Sequence, residues 1–405
     1  MELYYPLILD GATGTELQKR GFIGAVCTEQ WVLEHPEALQ ELQGAYIEAG
    51  SNIVYAPTFG ANRIKLEEHH ITGQTSEMNQ KLVQVSKEGA AGRALVCADL
   101  APTGKFLYPL GDLRFEELVD IYTEQAAAAE AAGVDLYAVE TQMTVPEARA
   151  AVLAIRSVSR KPIFVTFTCD ATGKTMTGTD VVAALEIFQG MGVDAFGLNC
   201  SVGPEDMLVQ LKRLQEYAEI PLIAKPNAGM PELEDGKTVY RCAPETFAEF
   251  QEAFAEAGVC VFGGCCGTTP EHIRALAEGT KRIHCRMPAP RHTELLPLAT
   301  EKKLCLLPAD VIVDHVLECT AGLAGLLEGE ADNVSLVTAI RIESEAQLET
   351  FAETQYAIEK PLCLVCEDAA LLEQALRLYQ GRAMYEGSLP EEQLMPFVKK
   401  YGLVI

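Results

Sequence analysis

The sequence predicts an α/β protein: a (β/α)8 barrel over residues 1–283, a linker over 284–300 and a small partial α/β unit over 301–405. Three observations carry this reading. Short β-branched, apolar runs alternate with longer Ala/Glu/Leu-rich helical stretches along the first 283 residues. Eight of those runs read as strands, and eight parallel strands joined by right-handed crossovers can close on themselves. The last run is followed by a loop and a helix like every other, which favours the closed barrel over the competing open, doubly wound sheet.

The expected strands are Leu7–Gly11, Asn52–Ala56, Ala94–Leu100, Leu136–Thr141, Pro162–Phe167, Ala195–Cys200, Pro221–Asn227 and Val259–Cys266. Helical periodicity lies between and after them, over Phe115–Ala132, Val145–Val158, Pro204–Tyr217, Pro244–Ala257 and Pro270–Ile283. Pro204 and Pro270 stand where a first-turn proline fits, because the missing N–H there has no partner inside the helix anyway. His284–Thr300 holds three prolines and little periodicity, and reads as a linker. Beyond it, apolar runs at Lys303–Leu307, Val334–Ile340, Pro361–Val365 and Gly402–Ile405 alternate with helical stretches at Glu343–Ile358, Asp368–Tyr379 and Pro390–Lys400. Four strands are too few for a second barrel.

Composition narrows the function. The chain of 405 residues carries a net charge of −26, the opposite of the basic stripe that nucleic acid or an anionic membrane surface requires. The start lacks a basic, signal-like segment, and no apolar run approaches the roughly 18 residues of a membrane span. A soluble, cytoplasmic protein is expected. Thirteen cysteines, an odd number, do not suggest a disulfide framework, and most read as small buried hydrophobes.

The strand ends show where chemistry sits, since a barrel of this kind places its active site at the C-terminal rim. They read Asp10-Gly-Ala-Thr-Gly-Thr-Glu16, Ala56-Pro-Thr-Phe-Gly60, Ala101-Pro-Thr-Gly104, Glu140-Thr141, Asn199-Cys200-Ser201, Lys225-Pro-Asn-Ala-Gly229 and Gly263-Gly-Cys-Cys-Gly267. An isolated Cys265-Cys266 pair beside glycines reads as core filler, and it lacks the Cys-x-x-Cys spacing of a redox pair. With Cys200 at the same rim, three thiolates can make an open zinc site whose fourth position is left for substrate. Such a site suits a thiol substrate: zinc holds it as a nucleophilic thiolate near neutral pH, which points to alkyl transfer onto sulfur.

The segments "DGATGTE", "PTFGANR", "PTG", "NCSVGPEDM", "KPNAG" and "GGCCGTTPEHI" together resemble the homocysteine S-methyltransferase family, most closely the homocysteine-binding domain of cobalamin-dependent methionine synthase. The resemblance covers roughly residues 5–283. It implies zinc held by Cys200, Cys265 and Cys266, with homocysteine sulfur as the fourth ligand. It also implies that Asp10 and Glu140 hold the substrate ammonium, and that N–H groups near Gly11 and Ala12 hold its carboxylate. Asn227 is implied as a labile ligand before substrate arrives, with a turn as its other role. Thr58 and Thr103 either order loops or bind substrate.

The last 45 or so residues resemble part of the folate-binding barrel that follows this domain in cobalamin-dependent methionine synthase. No strand-end set there suits a pterin, the nearest being "DNVS" at 332–335, so a shortened structural or docking remnant is expected. No cobalamin-binding Asp-x-His-x-x-Gly motif occurs, so methylcobalamin would come free or on a corrinoid protein acting in trans. S-Methylmethionine and betaine are the alternative donors. A non-catalytic docking partner and a zinc store are the readings from other classes.

Three motifs mislead. "ATGKT" at Ala171–Thr175 ends like a phosphate-binding loop, but Thr168 stands where the first glycine belongs. "NVS" at Asn333 is a glycosylation sequon only in a secreted protein. His272 is placed on the solvent face of its helix, with a supporting role at the zinc site as the alternative.

Overall fold

The computed structural model describes residues 3–24, 26–234, 237–289, 294–330 and 333–405. It divides into two compact units. The first holds residues 1–105, 113–177 and 194–289; the second holds 106–112, 178–193 and 290–405.

All eight expected strands form. They are β1 (Leu7–Ile8), β2 (Ile53–Tyr55), β3 (Leu95–Leu100), β4 (Leu136–Gln142), β5 (Ile163–Phe167), β6 (Ala195–Asn199), β7 (Leu222–Lys225) and β8 (Val259–Phe262). Every pairing between them is parallel, in the order β1-β8-β7-β6-β5-β4-β3-β2. Between β1 and β2 the Asn52 N–H donates to Ile8 O at 2.7 Å, and Asn52 Oδ1 accepts the Ile8 N–H at 2.8 Å. These two bonds bring the ends of the sheet together into a nearly closed (β/α)8 TIM barrel. The helices Phe115–Ala132 and Val145–Val158 form as the periodicity predicts, whereas the Pro244–Ala257 stretch breaks into Pro244–Glu249 and Gln251–Glu256.

Side chains alternate along a strand, so every second residue enters the barrel. One layer inside is apolar, with Tyr55, Cys97, Ala138, Phe164, Ile223 and Val261 in one buried cluster. Two residues further along, towards the C-terminal ends, the same alternation places Asp99, Glu140, Thr166, Asn199, Lys225 and Gly263. The barrel is thus plugged by hydrocarbon and capped by a buried polar layer. That layer is the floor of the rim.

In the second unit, β9 (Leu295–Ala299) pairs antiparallel with β10 (Leu304–Pro308). The strand Leu295–Ala299 lies inside the expected linker, whose residues 290–293 fall outside the described ones. Four further strands are parallel and stand in chain order: β11 (Val316–Glu318), β12 (Thr338–Arg341), β13 (Leu362–Val365) and β14 (Met384–Glu386). Strands β11 and β14 are additions to the reading, being only three residues each. Gly402–Ile405 does not form a strand; Val404 makes a single bridge to Met384. The helix Val181–Gly190, which follows β5 in sequence, belongs to this unit. It packs on β9, β10 and the helix Glu391–Tyr401, and its buried Glu186 pairs with Arg382. Asp332 of "DNVS" lies outside the described residues.

Candidate active site

The three rim cysteines come together. Cys200, Cys265 and Cys266 place their sulfurs within 4.8 Å of one another, with Cys200 and Cys266 at 4.0 Å. Backbone bonds set this. The loop after β8 is stitched to the loop after β7 by Cys265 N–H to Pro226 O at 2.9 Å and Ala228 N–H to Cys266 O at 3.0 Å. Cys200 is tied to the same loop through its N–H on Lys225 O at 3.1 Å. Gly267 follows at φ +80°, and a Cβ there would strike the Tyr240 ring at 2.3 Å, so only glycine fits the turn. Tyr240 in turn donates its hydroxyl to the Cys266 sulfur.

Thr141, Cys200 and Ser201 all adopt left-handed backbone, at φ +58°, +60° and +60°. Non-glycine residues hold that conformation only where their surroundings enforce it. Asn199 does so for Thr141: its Oδ1 accepts the Thr141 N–H at 2.9 Å and its Nδ2 donates to Thr141 Oγ1 at 2.7 Å. The same Nδ2 lies 3.9 Å from Cys265 Sγ.

Three thiols this close share protons. Hydrogen bonds from Cys265 and Cys266 pull Cys200 far below the ordinary thiol range, and the same bonds with Cys200 push theirs up. The donor set fits zinc. Three thiolates on a tetrahedral ion at about 2.3 Å sit roughly 3.8 Å apart, close to the spacing seen. The Asn227 side chain hydrogen-bonds Cys200, and its Oδ1 is buried without a partner, an oxygen donor beside the three sulfurs.

The polar floor holds four ionisable side chains: Asp10, Asp99, Glu140 and Lys225, all buried. Lys225 Nζ bonds Glu140 Oε2 at 2.7 Å and stands 3.8 Å over the Tyr55 ring. Burial alone would lower Lys225, but Glu140 and then Asp10 outweigh it, so the lysine stays charged. Asp10 Oδ2 accepts the Tyr55 N–H at 2.8 Å. Burial raises its carboxyl to about 7, with Lys225 opposing. Burial, and then Glu140, push Asp99 well above the carboxylate range.

Other expected residues fall differently. Gly11 lies so close to Thr268 and Tyr46 that a Cβ would meet both at 2.8 Å. The Ala12 N–H donates to Thr268 Oγ1 at 3.1 Å, so that amide is already engaged. The Thr58 hydroxyl accepts the Asp99 N–H and donates to Asp99 O, both at 2.9 Å, clamping β3 to the loop after β2. Thr103 gives its N–H and hydroxyl to buried Glu147 at 2.7 and 2.6 Å. Both threonines are tied into loop order. His272 is buried rather than solvent-facing. Its Nδ1 accepts the Thr269 N–H at 3.2 Å in a capping box, and its Nε2 lies 2.9 Å from Cys242 O. Asn199, Lys225, Asp99 and Tyr240 were not singled out from sequence. The first two stood in the quoted strand-end motifs, while Tyr240 left no signal in its loop.

The profile of the family described as Homocysteine S-methyltransferase matches residues 7–280. The chain belongs to the homocysteine S-methyltransferase family. Among the relatives of this family member, the methionine synthase of Mycobacterium leprae is 34% identical over 298 residues, covering 69% of this chain and 24% of that protein. The methionine synthase of Mycobacterium tuberculosis is 33% identical over 296 residues, covering 68% and 25%. The chain thus spans about a quarter of the length of these relatives. Among solved structures, the metallated form of the homocysteine methyltransferase MmuM from Escherichia coli aligns at a TM-score of 0.57 and 25% identity, covering 67% of this chain and 95% of that one. Its oxidised form gives 0.57 at 24% identity over the same shares. Among the described residues no helix is long and apolar enough to cross a membrane.

Proposed function

We propose that this homocysteine S-methyltransferase family member moves a methyl group onto the thiol of homocysteine to give methionine, with zinc at Cys200, Cys265 and Cys266 and a methylcobalamin-carrying protein as donor. The observation that carries the reading is the pairing of two sites on one rim: a three-sulfur cluster within 4.8 Å and a buried layer of three carboxyls and one lysine. An amino acid with a thiol side chain needs both.

Zinc at the sulfurs would supply the Lewis acidity that keeps a thiol as its thiolate at neutral pH. The chain's own residues do the rest. Asn199 holds Thr141 and approaches Cys265, keeping the carboxylate layer and the sulfurs in one frame. Asp10 and Glu140 offer their carboxyls to the substrate ammonium, and Lys225 holds Glu140 in place through its bond to Oε2. Asn227 would offer zinc an oxygen beside the three sulfurs. The substrate thiolate then attacks the donor's methyl carbon in line: the C–S bond forms as the donor–methyl bond breaks, and the donor leaves with the electron pair. A cavity of about 600 Å³ opens at Ser201, the residue after Cys200, with Met143, Met176 and Met230 beside Asp170, Lys174 and Asp206 in its wall. The methionines give a donor's methyl group a polarisable apolar surface.

The corrinoid donor rests on the motif resemblance and on the four parallel strands β11 to β14 in chain order, as expected of part of a second barrel. The zinc-loaded, reduced protein should speed methyl transfer from free methylcobalamin to homocysteine, followed in the cobalamin spectrum. Cys265→Ser should return the rate to the uncatalysed background. No acceleration with zinc bound would replace the donor by a sulfonium or ammonium compound such as S-methylmethionine or betaine.

A further inference from the structure

The polar floor holds more anions than its own residues balance. Three carboxyls face one lysine, leaving two negative charges if all ionise. Lys225 is committed to Glu140 and the Tyr55 N–H to Asp10. Asp99 is the odd one. Its backbone is engaged on both sides by the Thr58 hydroxyl, so the residue's position is set without its side chain. Its carboxyl lies against that of Glu140. Its Oδ1 is buried and receives no hydrogen bond from any N–H or O–H donor. A buried carboxyl oxygen left unpaired costs stability and gives nothing back to the fold. Such a cost is kept where a ligand removes it.

The location fits a ligand. Alternation along β3 puts Asp99 one layer above Cys97, in the apolar plug, on the side of the strand ends. Asn199 belongs to the same layer and reaches the sulfur cluster. A molecule with its sulfur at the cysteines and its cation four bonds away, as in homocysteine, would place that cation over this layer.

We propose that Asp99 is a third substrate-binding carboxyl, with Oδ1 receiving the ammonium of the amino-thiol. This deepens the function proposed above and rests on it. The ammonium brings the floor from two negative charges to one. Asp99 therefore sets selectivity: a thiol without an amino group leaves Oδ1 unpaired and gains nothing from it. Asp10 and Glu140 bind the same cation but are held by bonds within the protein, so Asp99 is the carboxyl with most to gain from substrate.

The test compares binding of L-homocysteine and of 4-mercaptobutyrate, its analogue without the amino group, to the zinc-loaded wild type and Asp99→Asn by calorimetry. Wild type should prefer homocysteine. Asp99→Asn should lose about tenfold or more in homocysteine affinity while binding 4-mercaptobutyrate within about twofold of wild type, since one charge-assisted hydrogen bond to a buried ion is lost. Retained binding of the analogue also shows that the variant folds. Equal losses for both thiols, or loss of both, would make Asp99 structural and overturn the proposal. Unchanged preference in the variant would overturn it too, with the function standing. A wild type that binds neither thiol would remove the proposed function itself, and this inference with it.

Discussion

Asp10 and Lys225 show how single residues tune the floor. Asp10 has a folded-state carboxyl raised to about 7 by burial, against an ordinary 3.8. The folded protein therefore holds that proton more tightly than the unfolded chain. Its contribution is fully present below about pH 4 and is lost as pH rises through 7. Relative to Asp10→Asn, which does not titrate, the metal-free wild type should lose stability between pH 4 and 7 and level off above. Urea midpoints across that range check this; parallel profiles for the two proteins would contradict the assignment. Lys225→Met should be severe, because it leaves Glu140 buried without its cation. A loss of about 3–5 kcal/mol is expected in denaturant unfolding of the metal-free protein, and a loss below about 1 kcal/mol would mean that Glu140 finds another partner. From sequence, Asp10 and Glu140 were legible because a carboxylate at the end of an apolar strand is conspicuous. Lys225 and Asp99 were passed over because their roles depend on partners 85 and 41 residues away in the chain.

At the scale of elements, the turns decide where sulfur goes. Gly267 ends the Cys265-Cys266 loop in left-handed backbone under the Tyr240 ring. Gly267→Ala should cost about 1–3 kcal/mol and move Tyr240 off Cys266. Zinc retention under a competing chelator should fall in step, whereas an unchanged affinity would show that the turn does not position Cys266. Strand positions were readable because period-two alternation and the 3.6-residue helix repeat are local signals. The hairpin Glu232–Glu234 with Lys237–Val239, which precedes Tyr240, was not foreseen. Strands of three exposed or edge residues carry too few side chains to show a period.

At the scale of the molecule, metal and the second unit govern stability. Zinc binding only to the folded state should stabilise it by about 2.7 kcal/mol when free zinc is a hundred times its dissociation constant. Chelation should lower the melting temperature accordingly, and Cys265→Ser should show no such response. The helix Val181–Gly190 makes a second demand. It packs on β9, β10 and Glu391–Tyr401, with Glu186 paired to Arg382 and Gly190 against Gly402. A chain ending at residue 289 strips this helix of those partners and should fail to unfold cooperatively. A truncated chain with an undiminished melting temperature would show that the helix is stable without them.

The sequence by itself determined the eight-strand barrel, the alternation that plugs its interior, the three cysteines at one rim and the family. Each of these follows from local periodicity or from residue types at strand ends. Only the tertiary structure decided which charges meet: Lys225 on Glu140, Thr58 on the backbone of Asp99, Tyr240 on Cys266, His272 inside a cap, and the helix after β5 within the second unit. Burial and hydrogen bonding are properties of pairs brought together from distant parts of the chain. A one-dimensional pattern carries each partner but not the meeting.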